Sequence, residues 1–214
     1  MTTKPEPADA SLAALLRRHR LLAIVRGSCR RAALDCALTL VADGDLLVEV
    51  SLTTDDALWV IQQARDRLGP ESPLGAGTAT TAADVRNAVG AGASFIVTPA
   101  LTESVDEAVR RHIPVVAGAL TPTEVAGAVT AGAAVVKLFP ASLGGVAYLR
   151  ALREPFPGVA FVPTGGVSLA DAPQFLAAGA AGVGMGSPLV GDAADGGDLT
   201  DLQERLATVK RALL

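Results

Sequence analysis

Aromatic residues make up only 3% of this 214-residue chain, and it holds just two histidines and two cysteines. A nucleic-acid binder shows a basic face or stacking aromatics; a net charge of −4 with so few rings offers neither, so no nucleic-acid partner is expected. His19 and His112 stand alone, without HxH or HExxH spacing, so no metal site is expected. Cys29 and Cys36 lie seven residues apart, two turns along one helical stretch. That suits small packed hydrophobes better than a disulfide or a metal clip. No apolar run approaches the roughly 20 residues that a membrane span needs, so no membrane partner is expected. Met1 to Ala10 is polar and contains proline, unlike a secretory signal, and the expected compartment is the cytoplasm.

Lysine is scarce too. Of 18 Lys and Arg residues, the lysines are Lys4, Lys137 and Lys210. Two lie near the termini, where a solvated charge is ordinary, but Lys137 sits inside an apolar run. Arginine serves as a surface cation equally well, yet it cannot form an imine because its guanidinium stays protonated. A chain that otherwise prefers arginine and puts a lysine in its core invites a chemical explanation.

What the chain has in abundance is apolar side chains, 50% of the total, enough for one sizeable core. A single domain over residues 1–214 is expected, with 1–8 as a flexible tail. Short apolar runs recur eight times: 21–26, 46–52, 73–78, 94–98, 113–118, 133–139, 159–163 and 182–186. Each is rich in Val, Ile, Leu or Ala, as strands covered on both faces should be. Amphipathic stretches separate them, and an extra helix near Ala8–Arg20 precedes the first. Caps are expected at Thr54-Asp55-Asp56, Thr121-Pro122-Thr123-Glu124 and Ser168-Leu169-Ala170-Asp171. Helix stops are expected at Asp43-Gly44 and at the Ala-Gly pairs 91–92, 131–132 and 178–179, where glycine suits a left-handed C-terminal cap. Eight βα units of about 25 residues predict a small (β/α)₈ (TIM) barrel with an extra N-terminal helix. A doubly wound sheet is the alternative, but the first strand runs into Arg26-Gly27-Ser28 rather than a GxGxxG turn.

In such a barrel the chemistry sits at the C-terminal ends of the strands. Lys137 lies near the end of Ala133–Phe139, on the same face as Val135 and Phe139. The alternative, a lysine snorkelling outward to a carboxylate, lacks a partner close in sequence, since no acid lies between Glu124 and Glu154. Glu49 stands amid Leu46–Leu52, where an unpaired carboxylate costs several kcal/mol; beside Lys137 it would have a partner and a proton to move. A structural ion pair is the other reading. Glycine-rich turns occur at 75–78, 164–167 and 184–187, and the last two follow the seventh and eighth runs, where this fold binds phosphate. Tight packing is their bland explanation. Arg26 ends the first run, placed for a carboxylate or phosphate, with a structural salt bridge as the alternative.

Several of these motifs, in this order, resemble the 2-keto-3-deoxy-6-phosphogluconate and 4-hydroxy-2-oxoglutarate aldolases, from about Leu21 to the C-terminus. They are Val48-Glu-Val-Ser-Leu52, Gly75-Ala-Gly-Thr78, Ile96-Val-Thr-Pro99, Val136-Lys-Leu-Phe-Pro140, Val162-Pro-Thr-Gly-Gly166 and Gly186-Ser187. The resemblance implies a class I aldolase with Lys137 as imine-forming lysine and Glu49 as general acid/base. It implies that Thr78, Pro99 and Phe139 line a pyruvate pocket, and that Thr164, Gly165, Gly166, Gly186 and Ser187 hold the distal, phosphorylated part of a keto-acid substrate. It also implies a homotrimer needing no metal or cofactor. Some members place an arginine four residues after the glutamate; here that position is Thr53, and Arg26 matches members that supply the carboxylate clamp from the first strand. Thr164 points to the gluconate type rather than its galactonate epimer. The rivals are another phosphate-binding barrel, such as an isomerase or a thiamin-phosphate-synthase-like enzyme, and a non-catalytic phosphosugar-binding barrel.

Overall fold

A computed structural model of the chain describes residues 8–42 and 46–214, with side chains from Leu12 onward. The strands are β1 (Leu21–Val25), β2 (Leu47–Ser51), β3 (Leu74–Gly77), β4 (Ile96–Val97), β5 (Val115–Ala119), β6 (Val135–Leu138), β7 (Phe161–Pro163) and β8 (Val183–Met185). The helices are α1 (Ala8–His19), α2 (Arg30–Ala42), α3 (Ala57–Leu68), α4 (Ala82–Gly90), α5 (Glu103–Arg110), α6 (Pro122–Ala131), α7 (Gly145–Arg153), α8 (Ala172–Ala177), α9 (Ser187–Val190) and α10 (Leu199–Leu213). Every strand residue is buried, which is why the sequence reads as unbroken apolar runs. All pairings are parallel, in the order β7-β6-β5-β4-β3-β2-β1-β8. A lone bridge between Thr164 and Gly184 joins the two ends, with the Ala181 N–H donating to the Phe161 carbonyl at 2.8 Å. The result is the expected eight-stranded barrel.

Alternation sorts the strand residues into two cores. Outward-facing Leu21, Ala23, Val48, Val50, Ala76, Val136 and Leu138 pack under the helices. Inward-facing Leu22, Leu47, Phe95, Val97, Val116, Val135 and Val162 form a second cluster with Leu12, Ala13 and Leu16 of α1. The extra helix therefore plugs the N-terminal mouth of the barrel, and the opposite mouth is left to polar residues.

Interior glycines make the space. A Cβ at Gly75 would fall 2.4 Å from the Phe95 ring, and one at Gly118 would fall 2.3 Å from the Pro99 carbonyl group. Both positions face atoms that already fill the barrel.

The element ends vary. Thr121 and Glu124 form a reciprocal capping box on α6, and Gly132 closes that helix in a left-handed conformation at φ 91°. Gly92 and Gly179 are also left-handed. The cap expected at Thr54–Asp56 does not form: Asp56 adopts φ 47° and makes no side-chain cap bond. Its carboxylate instead accepts from Arg30 Nη1 at 2.7 Å, and Arg30 stacks over Trp59. Ser168 accepts from the Asp171 N–H one turn before α8, which begins later than expected. Ala8 is already helical; residues 1–7 of the expected tail, and the Asp43-Gly44 stop, lie outside the described residues.

Candidate active site

A cavity of about 300 Å³ opens at the C-terminal ends of the strands. Ile24, Arg26, Glu49, Lys137, Phe139, Thr164, Gly165, Gly166, Gly186 and Ser187 are among its walls. Nine of the eleven expected site residues thus converge on one space. Thr78 and Pro99 do not line it: Thr78 turns its hydroxyl to Ser51, and Pro99 lies against Gly118.

Lys137 enters from β6 and is only 5% exposed, in register with Val162 on one side and Gly118 on the other. Its Nζ stands 5.0 Å from the centre of the Phe139 ring, two residues on along the same face. Glu49 enters from β2 at 1% exposure, and a Cβ at the facing Gly77 would lie 2.7 Å from its carboxyl carbon. Gly77 is thus the room that Glu49 occupies. One carboxylate oxygen, Oε2, is buried with no hydrogen-bond partner among the described residues. Burial pushes the Glu49 carboxyl above the usual carboxylate range, and the cations of Lys137 and Arg26 pull it partly back. A buried carboxyl beside a buried amine can exchange protons with whatever binds between them.

Arg26 follows β1 and is itself exposed; its Nε donates to Ser51 Oγ at 3.4 Å. The loop beneath it is tightly fixed, since a Cβ at Gly27 would fall 2.2 Å from the Ala194 carbonyl oxygen. Asp195, in a short 3-10 turn after β8, accepts from both the N–H and the hydroxyl of Ser28, bonds that hold its carboxyl below the usual range. Asp195 also reaches the cavity wall. No motif in the sequence pointed to it, because its place depends on how the segment after β8 folds back on β1. Ser51 was equally unread, although its position two residues after Glu49 puts both on one face of β2.

The distal wall is made of two turns. Gly165 and Gly166 are both left-handed, at φ 84° and 79°, and a Cβ on either would run into Phe139 or Ser142. Among the described residues no carbonyl accepts from their N–H groups. Ser187 opens α9, so its N–H is also unpaired within the helix. Thr164 is buried, donates to the Val162 carbonyl at 3.2 Å and fills the space left by Gly184. Among the described residues no group of three or more His, Cys, Asp or Glu residues could hold a metal ion, and no helix is long and apolar enough to cross a membrane.

The family model described as KDPG and KHG aldolase matches residues 12–204. The 2-dehydro-3-deoxy-phosphogluconate aldolase of Treponema pallidum is 35% identical over 164 residues, covering 76% of this chain and 78% of its own. The 2-dehydro-3-deoxy-6-phosphogalactonate aldolase of Escherichia coli K12 is 34% identical over 171 residues, covering 79% and 83%. Among solved structures, the 2-keto-3-deoxy-6-phosphogluconate aldolase of Zymomonas mobilis ZM4 with 3-phosphoglycerate superposes with a TM-score of 0.82 at 29% identity, over 96% of each chain. The KDPG aldolase of Legionella pneumophila, with pyruvate captured as a covalent carbinolamine intermediate, gives 0.79 at 27% identity over 94% and 95%.

Proposed function

The chain belongs to the KDPG and KHG aldolase family, and from that premise we propose that it cleaves 2-keto-3-deoxy-6-phosphogluconate to pyruvate and glyceraldehyde 3-phosphate through an imine on Lys137. The observation that carries this reading is a buried lysine and a buried glutamate facing one cavity from β6 and β2.

The neutral amine of Lys137 attacks the C2 ketone to give a carbinolamine, which loses water to become an imine. Glu49 supplies and removes the protons, suited to both because burial favours its neutral form while Lys137 and Arg26 favour its charged one. The protonated imine is an electron sink. As the C4 hydroxyl loses its proton the C3–C4 bond breaks, and its electron pair forms an enamine with C2. Protonation at C3 and hydrolysis release pyruvate and free the lysine. Phe139 walls the pyruvyl end, and Arg26 faces the substrate carboxylate. Gly165, Gly166, Gly186 and Ser187 offer N–H groups to the phosphate, with Thr164 fixing the turn beneath them. The pyruvate carbinolamine of the Legionella relative and the 3-phosphoglycerate of the Zymomonas relative support the two ends of this assignment. The same resemblance carries a homotrimer, which light scattering would read as three chain masses.

Borohydride added with pyruvate tests the assignment. The expected outcome is inactivation, with a reduced pyruvyl mass on the peptide containing Lys137 and no trapping in Lys137→Arg. Label on Lys4 or Lys210 instead, or none, refutes it. A second reading, the galactonate epimer as substrate, rests on the similar identity to the phosphogalactonate enzyme. Comparing kcat/KM for the two epimers and for 4-hydroxy-2-oxoglutarate separates these substrates.

A further inference from the structure

Ser51 is fully buried at the end of β2, outside the cavity wall but directly behind it. Its hydroxyl is the hub of four contacts. It lies 2.8 Å from Thr53 Oγ1, 2.9 Å from Thr78 Oγ1 and 3.4 Å from both Arg26 Nε and the Thr53 N–H. These groups come from the ends of β1, β2 and β3, so one hydroxyl ties three adjacent strand ends together. Arg26 forms no ion pair among the described residues, and this contact is its one hydrogen bond there.

Proton counting shows what the hub delivers. A serine hydroxyl has one proton to give and two lone pairs. Arg26 Nε and the Thr53 N–H can only donate, so between them they take both lone pairs of Ser51. The Ser51 proton then goes to Thr53 or Thr78, 2.8 and 2.9 Å away. The receiving threonine keeps its own O–H to give. Whichever threonine receives it, the cluster joins a guanidinium to a hydroxyl with a proton to spare. It has no carboxylate of its own, and Arg26 is the member that reaches the cavity wall. Such a cluster recognises an anion, and the anion nearest Lys137 in the proposed reaction is the carboxylate on C1.

We propose that Ser51 is the positioning residue of the carboxylate subsite, holding Arg26 in place through its buried hydroxyl. This rests on the reading of Lys137 as the imine-forming residue. Thr53 stands where some family members carry an arginine, so here the cation comes from β1 and is aimed from beneath by β2. A longer, freely rotating arginine with no such anchor would lose side-chain entropy on every binding event.

The test is the pyruvate concentration giving half-maximal borohydride trapping, measured beside methyl pyruvate, which keeps the ketone but lacks the charge. Ser51→Ala is expected to raise the value for pyruvate at least fivefold and leave that for methyl pyruvate within twofold. In an Arg26→Ala background the same substitution is expected to change pyruvate trapping by less than twofold, because its effect passes through Arg26. Equal weakening of both probes would mean a merely structural serine and would overturn the proposal. So would a change below twofold with pyruvate when Ser51→Ala is made in the protein that keeps Arg26. Should Ser51→Ala fail to fold, Ser51→Cys, which keeps the volume but bonds weakly, carries the same expectations. A wild-type protein that traps no pyruvate would instead overturn the assignment of Lys137, a failure visible before any Ser51 variant is made.

Discussion

Glu49 concentrates the residue-scale consequences. Its carboxyl is raised by burial, so the folded state holds its proton more tightly than the unfolded chain does. A raised group adds stability below its unfolded value, about 4.3, and that contribution is lost as pH rises through the folded value. Glu49→Gln, which cannot ionise, is therefore expected to melt higher than the parent at pH 7–8, with the gap closing toward pH 4. Thermal melts across that range check it, and a gap that widens on acidification would contradict the burial argument. The same variant should lose about 10²–10⁴ in kcat if Glu49 moves protons. Gly77 gives a second case. A methyl there would press on the flexible end of Glu49 rather than on backbone, so Gly77→Ala should fold with little loss. It should nonetheless cut kcat at least tenfold by displacing the carboxyl from Lys137. Circular dichroism alongside steady-state kinetics separates the two effects, and unchanged kcat would show that the glycine merely packs.

Among the elements, the strands were the legible part. Unbroken runs of Val, Ile, Leu and Ala announced them because both faces of each are covered, and Lys137 and Glu49 stood out as the polar exceptions. Loops were less legible. Thr78 and Pro99 fell in motifs at strand ends, yet the left-handed turn at Thr78, φ 62°, sends its hydroxyl to Ser51 instead of to the cavity. Asp195 reaches the wall only because the segment after β8 packs on Gly27, a contact between distant parts of the chain that no local pattern encodes. The cap at Asp56 failed for a similar reason, since Arg30 of α2 took its carboxylate. The two turns of the distal wall carry their own prediction. On the proposed reading, their N–H groups and the Ser187 hydroxyl would make charge-assisted bonds of about 1.5–3 kcal/mol each to an anion. Inorganic phosphate is expected to inhibit competitively, and Ser187→Asp to raise its inhibition constant at least tenfold by placing like charge at the turn. An unchanged constant would leave those glycines a packing role alone.

At the scale of the whole molecule, α1 closes one mouth of the barrel with Leu12, Ala13 and Leu16, so the interior is solid at one end and reactive at the other. The hoop itself is uneven. Seven of its joints are continuous strand pairings, while β7 and β8 meet through little more than the Thr164–Gly184 bridge. That seam runs directly beneath Gly165, Gly166 and Ser187, so an anion held by both turns would span it like a clasp. Mass action then adds about 2.7 kcal/mol at a hundredfold excess over Kd, felt first where the ring opens most readily. Amide hydrogen exchange should accordingly slow across residues 161–165 and 183–187 in phosphate, more than along β3 or β5. Uniform slowing would mean that the seam is no weaker than its neighbours. If the slowing is local, substrate is also the fastening of the barrel that cleaves it, and each product release briefly unbuckles the fold.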